Sequence, residues 1–386
     1  MLKVLFLSAW YPHRNDPMYG LFVRKHAEAV SRFAEEVAAL YVVMDENIDK
    51  TEIVANKNGN FYEAIVYYPG KKTEKNKVKR ACKYLNAYLR GFTFLHRQWG
   101  KPNIVQANVF TRTAVIALIY KLVYKVPYVV IEHWTRYFRP DTFSNKLHLL
   151  ITKVVARKAG AIMPVTSHLE NCMKSHGLEN DNYIVINNVV DDFFGAGNKT
   201  NVSDKKMILH VSCFDDDQKN LTGILNTIHK LSGVLNDFCF YLIGTGRDFD
   251  LIREKALTLG LNEDKLVFTG MLQGKELANF YRHCSFVVLF SNYENIPVVI
   301  SESLVCGKPV ISTNVGGISE HINNSNGLLI SRGDEAALYK AINYMLDNSE
   351  NYNSGEISEK AGEMYSYDAV GRKLTDIYNH ILFKSC

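Results

Sequence analysis

Apolar positions along this chain follow two alternating rhythms. Short runs rich in β-branched and aromatic residues, at Val4–Leu7, Val37–Val43, Ala64–Tyr68, Ile104–Ala107, Tyr128–Glu132, Ala161–Val165 and Tyr183–Ile186, read as strands. Between most of them lie longer stretches with apolar residues at i, i+3 and i+4, as in Leu21–Phe33 and Thr111–Tyr124, which read as helices. This alternation predicts βαβ units built on a parallel sheet. The rhythm stops at Asp191, where DDFFGAGNKTNVSDKK is polar and aperiodic, so residues 191–206 are expected to form a linker. It resumes with strands at Met207–Cys213, Phe238–Ile243, Leu266–Thr269, Phe286–Phe290, Pro309–Ser312 and Gly327–Ile330. Leu221–Leu231, Glu335–Leu346 and Asp368–Leu382 carry the helical spacing.

The expectation is an α/β chain of two doubly wound, Rossmann-like domains, residues 1–190 and 207–365. A terminal helix in 366–386 would pack back on the first domain. Folds of this kind bind ligands beyond the carboxyl ends of their strands, which predicts a cleft where the two domains face each other. Composition agrees: 386 residues exceed one ordinary core, and 47% hydrophobic with 22% charged residues is a globular balance. No stretch reaches the ~20 apolar residues of a membrane span. The opening MLKVLFLSAWYP is too short for a secretory leader and reads as the first strand, implying a cytoplasmic protein. The seven cysteines are scattered without zinc-ligand or redox spacing and read as reduced, mostly buried thiols. The net charge of +5 divides unevenly: residues 1–190 hold 27 Lys+Arg against 15 Asp+Glu, and residues 191–386 hold 18 against 25. Opposite signs on the two halves suit two domains with different partners.

The densest chemical signal is SNYENIPVVISESLVCGKPVISTNVGG. A buried strand ends at Ser291, the turn Asn292–Asn295 follows, and a helix is expected to begin at Pro297, where a missing N–H costs nothing. The amides of Val298, Val299 and Ile300 would then point from the positive end of the helix, a ready site for phosphate. Glu302 lies about 7–8 Å further along the axis, and its side chain leans back toward the N-terminus. It could reach ribose hydroxyls beyond the phosphates.

Glu294 and Glu302, in E-x7-E spacing within this context, resemble the donor-binding signature of retaining glycosyltransferases with the two-domain GT-B fold, family 4 in particular. The resemblance implies that Glu294 lies by the transferred sugar and Glu302 binds the nucleotide ribose, with Asn295, Ile296, Pro297, Val298 and Val299 around the donor. Other landmarks fall in family order. Gly20, in NDPMYGLFVRKHAEAV, resembles the glycine loop whose backbone approaches the donor phosphate. His133, at the carboxyl tip of the strand in VVIEHW, matches the histidine that contacts the donor sugar near the reacting carbon. Lys219, in FDDDQKN, resembles the lysine on the leaving diphosphate. Two features depart from the pattern. Cys213 stands where the family usually has an arginine, and Arg247 is the candidate to replace that charge. The turn after Glu294 reads Asn295-Ile296-Pro297 where Gly-Phe-Gly is usual, so donor identity is not carried over.

Asp215, Asp216 and Asp217 mimic a metal-binding DxD motif but read as solvated acids, and the GT-B reading needs no metal or other cofactor. Gly244-Thr245-Gly246 lacks the third glycine of a dinucleotide fingerprint. The expected activity is transfer of a sugar from a nucleotide-diphosphate donor to a lipid-linked or polysaccharide acceptor with retention. A nucleotide-sugar epimerase or hydrolase, and a non-catalytic nucleotide-sugar-binding protein, stay open as alternatives. The segment 71–101 is strongly basic and interleaved with aromatics. It reads either as a solvated face or as a helix lying on anionic lipid at the inner membrane face. No motif suggests nucleic acid.

Overall fold

The computed structural model describes residues 2–110, 112–143, 145–195 and 205–385. Most of the stretch expected as a linker, 196–204, lies outside the described residues. The chain forms two compact units. The first is Met1–Val165, Leu169–Val189 and Tyr367–Cys386; the second is Thr166–His168 and Val190–Ser366.

The first unit is built on strands β1 (Lys3–Ser8), β2 (Glu36–Asp45), β3 (Glu52–Asn58), β4 (Phe61–Pro69), β5 (Ile104–Asn108), β6 (Tyr128–Glu132) and β7 (Ile162–Pro164). They form one sheet in the order β3-β4-β2-β1-β5-β6-β7. Helices α1 (Leu21–Ser31), α2 (Lys77–Gln98), α3 (Arg112–Tyr124), α4 (Lys146–Lys158) and α5 (Ser167–Ser175) connect them, α5 starting in the second unit's short piece. The β5 and β6 residues are buried throughout, which is why these strands read as unbroken apolar runs. One strand escaped the pattern. β3 pairs antiparallel with β4 at the edge of the sheet, and its residues are mostly exposed. With little to bury, EIVANKN shows no alternation to read. Tyr183–Ile186, expected as a strand, runs beside β7 through the Ile184 and Ile186 amides but makes only an isolated bridge at Tyr183.

The second unit carries β8 (Lys206–Val211), β9 (Phe238–Ile243), β10 (Leu266–Gly270), β11 (Phe286–Leu289), β12 (Val310–Thr313) and β13 (Gly327–Ile330), in the order β10-β9-β8-β11-β12-β13. Every pairing among these described strands is parallel. Its helices are α6 (Asp216–Lys219), α7 (Leu221–Ser232), α8 (Phe249–Thr258), α9 (Gly274–His283), α10 (Val298–Val305), α11 (Glu335–Asn348) and α12 (Ser354–Tyr365). Successive strand residues feed opposite cores. Ile208, Phe240 and Val288 join one apolar cluster, while Leu209, Ile243 and Val287 join another. Both faces of the sheet are therefore covered, as a doubly wound fold requires.

The chain ends in α13 (Tyr367–Ser385), which belongs to the first unit and lies along α1. Gly371 sits so close to α1 that a Cβ would stand 2.3 Å from the Ala29 carbonyl oxygen. Val370, Leu374, Ile377, Tyr378 and Ile381 complete the first unit's core.

Candidate functional site

In the second unit strand order reverses at β8, with β9 on one side and β11 on the other. Loops leaving the carboxyl ends of β8 and β11 must therefore diverge, and the crevice they leave is where doubly wound sheets bind ligands. The structure brings Lys219 and Glu294 together there. Lys219, at the end of the single turn α6, reaches from the loop after β8; Glu294 stands in the loop after β11. Nζ of Lys219 donates to the Glu294 carboxylate in a buried ion pair. Gln218 Nε2 donates to the other Glu294 oxygen at 3.4 Å, and the Asn292 amide donates to the Gln218 carbonyl at 2.7 Å. A buried pair like this survives only where geometry is good, and removing one partner strands the other charge.

The Glu294 loop is held from behind by backbone. Gly316 has φ +58° and lies so near that a Cβ would stand 1.9 Å from the Glu294 carbonyl oxygen. The Gly317 amide donates to the Asn295 carbonyl at 3.0 Å, and Thr166, which groups with this unit, donates its hydroxyl to Asn295 Oδ1 at 2.8 Å. Helix α10 begins one residue later than expected. Pro297 is its N-cap, with extended ψ of 128°, and Val298 is the first helical residue. The expectation of three amides aimed outward is also corrected: the Ile300 amide donates to the Pro297 carbonyl at 3.0 Å in a tight first turn. Val298 and Val299 precede it, where an α-helix offers no carbonyl four residues back. Ile296 packs partly buried against the core under α10. Glu302, one turn further on, is buried, and Tyr281 of α9 donates its hydroxyl to the carboxylate at 3.1 Å. Nothing in the sequence marks Tyr281, because α9 and α10 meet only in the fold.

Three readings of the sequence change at this end of the unit. Asp215 caps α6, accepting from the Gln218 amide, and Asp216 accepts from the Thr222 amide at 2.8 Å, so neither is merely solvated. Arg247 is engaged by three carboxylates, Asp215 at 2.9 Å, Asp217 at 2.6 Å and Asp248 at 3.4 Å. Its charge clips the loop after β9 to the loop after β8. Gly244 serves the same junction, since a Cβ would stand 1.9 Å from the Ser212 carbonyl oxygen. Cys213 and Cys82 are exposed, against the expectation of mostly buried thiols; Cys239, Cys284 and Cys306 are buried.

In the first unit, His133 follows β6. Its ring packs on Phe22 of α1 at 4.3 Å between centroids and lies 5.7 Å from the ring of His26. Burial first, and the neighbouring His26 second, push the His133 pKa well below the ordinary histidine value, so the ring is neutral. His26 is likewise pushed down by burial, to about 4, with Nε2 at 3.0 Å from the Asn187 carbonyl oxygen. Trp10 stands 5.5 Å from Trp134 and 6.2 Å from Phe22, giving an aromatic cluster around His133. Gly20 precedes α1 with φ +67°, and a Cβ would stand 2.3 Å from the Trp10 backbone. The fold itself therefore demands glycine here, apart from any phosphate.

Beside His133, Glu132 is fully buried and was not singled out in the sequence. Its carboxylate accepts from the amides of Phe110, His133 and Trp134, each at 2.9 Å, and from the Tyr137 hydroxyl at 3.2 Å. Burial raises its pKa to about 7 against the pull of those donors. Val109, adjacent to Phe110, is held at φ +76°, a strained value for a β-branched residue. The hydrogen bonds to the buried carboxylate tie down the strand end that carries His133, and through Phe110 the strained turn at Val109.

Among the described residues no group of three or more His, Cys, Asp and Glu is arranged to hold a metal ion, and no helix is long and apolar enough to cross a membrane. Residues 205–348 match the model for glycosyl transferases group 1. An uncharacterized glycosyltransferase of Methanocaldococcus jannaschii is 27% identical over 231 residues, 59% of this chain and 62% of that protein. The N-acetyl-alpha-D-glucosaminyl L-malate synthase of Bacillus anthracis is 27% identical over 181 residues, 46% of each chain. Among solved structures, sucrose-phosphate synthase from Thermosynechococcus elongatus superimposes with a TM-score of 0.77 over all of both chains at 17% identity. Anabaena HepE in complex with UDP gives 0.73 at 16% identity, covering 98% of this chain and all of that one. The whole chain thus has the GT-B fold, and its second unit contains a stretch that matches glycosyl transferases group 1.

Proposed function

We propose that this protein is a glycosyltransferase that moves a sugar from a nucleotide-diphosphate donor to a lipid-linked or polysaccharide acceptor, with retention, in the manner of family 4. The buried Lys219–Glu294 pair at the strand-order reversal of the second unit is the observation that carries this reading. A cation buried next to a carboxylate and beside the start of α10 is a pre-formed place for an anion. Lys219 has three N–H donors, so it can keep Glu294 while donating to an arriving diphosphate, which would bring its charge to the leaving group and hold Glu294 beside the sugar. Glu302, held by Tyr281, is the proposed partner of the ribose hydroxyls. HepE was solved with UDP, which supports a nucleoside diphosphate as the donor's handle. His133, neutral among aromatic rings, is the first unit's candidate for contact with the transferred sugar.

Calorimetric titration with UDP, GDP and ADP, followed by transfer assays with the sugar derivatives of whichever binds, tests the reading. Binding of one nucleoside diphosphate and acceptor-dependent loss of the donor are expected. Free sugar or an isomerised donor made without acceptor would point to a hydrolase or epimerase instead, and binding without turnover to a non-catalytic protein. We further propose that no metal is needed, because Lys219 and the helix amides take the leaving group's charge. Turnover is expected to persist in EDTA; loss that manganese or magnesium restores would overturn this.

A further inference from the structure

We propose that the outer face of α2, α3 and α4 is a docking surface for an anionic lipid membrane, with α3 and α4 seated in the headgroup layer. The three helices lie side by side on the first unit. Phe92 of α2 stacks on Tyr120 of α3 at 5.1 Å, and Lys121 of α3 donates to the Lys158 carbonyl of α4 at 2.8 Å. The inward faces of α3 and α4 are apolar, as expected: Ala114, Ala117 and Tyr120, and Val155 and Ala156, are buried. The outward faces are apolar as well. Leu122 is 63% exposed, Val123 64%, Leu147 62% and Leu150 59%, with Ile151 and Val154 also open. On α4 these positions fall at i, i+3, i+4 and i+7, so they form one stripe along the helix. Soluble proteins rarely leave a contiguous apolar patch of this kind without a partner.

Charge selects the partner. Helices α2, α3 and α4 contain six, two and four Lys or Arg residues respectively, and no Asp or Glu. A protein surface matched to this face would have to be both apolar and densely acidic. The interface of an anionic bilayer supplies apolar depth and negative charge together. This adds the apolar stripes of α3 and α4 to the basic segment 71–101, whose aromatic rings are mostly not the ones presented. In that segment Tyr88 and Trp99 are buried and Tyr84 stacks on Tyr88 at 4.9 Å, so those rings are turned into the fold, while Val78, Leu85 and Leu89 stay exposed among the cations of α2. Docking of this kind is independent of the transfer reaction, and its test uses no activity.

The test is flotation of the full chain with vesicles of phosphatidylcholine alone and with one third phosphatidylglycerol, at low and high salt. Binding to the anionic vesicles only, weakened by salt, is expected. The variant Leu150→Ser/Val154→Ser should bind about tenfold more weakly at either salt, because the apolar contribution is not screened. Lys146→Ser/Lys153→Ser should lose affinity chiefly at low salt. Unchanged circular dichroism controls for folding, and Leu147→Ser/Ile151→Ser gives an independent reading should the first pair misfold. Equal recovery with both vesicle types, no binding, or wild-type binding by both stripe variants would overturn the proposal. A concentration-dependent dimer abolished by the stripe variants, without vesicle binding, would instead make the stripe a self-association face.

Discussion

At the scale of single residues, burial and pairing decide what each charged group can do. Glu302 is buried and tethered by Tyr281, which fixes the orientation of its carboxylate. Glu302→Ala is expected to weaken donor-nucleotide binding by roughly 10–150-fold, the value of about 1.5–3 kcal/mol for a charged hydrogen bond. Tyr281→Phe, which loosens the carboxylate without removing it, should cost roughly 2–10-fold. Titration of the nucleotide into both variants checks this, and unchanged affinity in Glu302→Ala would remove its assigned role. His26 gives a prediction with a definite sign. Its folded pKa is lowered to about 4 from 6.5, so its contribution is present above pH 6.5 and lost as pH falls through 4. By linkage that loss is about 3 kcal/mol at pH 4. Urea unfolding of the first unit at pH 7.5 and pH 4 should show His26→Asn losing about that much less than the wild type. Glu132, raised to about 7, acts with the opposite sign, its contribution fading as pH rises from 4.5 through 7. It is common to both chains and cancels in the comparison.

Elements set the positions those residues occupy. Lys219 and Glu294 lie 75 residues apart, yet meet because β8 and β11 are parallel neighbours. The Glu294 loop has no secondary structure of its own to stiffen it; the backbone at Gly316 does that by close approach. Gly316→Ala would put a methyl 1.9 Å from the Glu294 carbonyl oxygen at a left-handed φ of +58°, so the loop must move. Turnover is expected to fall about tenfold or more, since a shift near 1 Å at a reacting group is enough for that. Affinity for the free nucleotide, which we propose is held through Lys219 and Glu302, should fall less. Steady-state kinetics beside titration separates the two, and equal losses in both would mean that the loop positions the nucleotide and not the sugar.

At the scale of the whole molecule, the last helix is chemically part of the first unit although it follows the second in sequence. Tyr378 donates to Gln106 inside the first unit's core, and Val370 and Leu374 pack with Phe6 and Val30 in the same cluster. A chain ending at Ser366 would expose that core. Burial of four or five such side chains is worth about 1.5–3 kcal/mol each, comparable with the stability of a whole domain. The truncated protein is expected to lose the first unit's cooperative unfolding transition while the second unit keeps its own. Limited proteolysis with mass spectrometry would show cuts confined to the first unit; a protected first unit would mean that α13 is an accessory.

Much of this was legible in the chain itself. Strands buried on both faces, such as residues 128–131 of β6 and Phe286–Leu289, announce themselves because their residues are all apolar or β-favouring. Glu294, Glu302, Lys219 and His133 were marked as candidates by their resemblance to a family pattern, and the fold brings Lys219 and Glu294 together. What the sequence could not show depends on partners far away in the chain. The roles of Arg247 and Gly20 turned on which atoms lie beside them, and in both cases the fold supplies a reason of its own. Glu132 was hidden because its four donors come from two separate stretches of backbone and one phenol. The α4 stripe was hidden because a helix apolar on both sides has the composition of one that is buried on both sides. Periodicity fixes which residues share a face; only tertiary packing decides whether that face is covered, because coverage is a property of neighbours brought close by the topology.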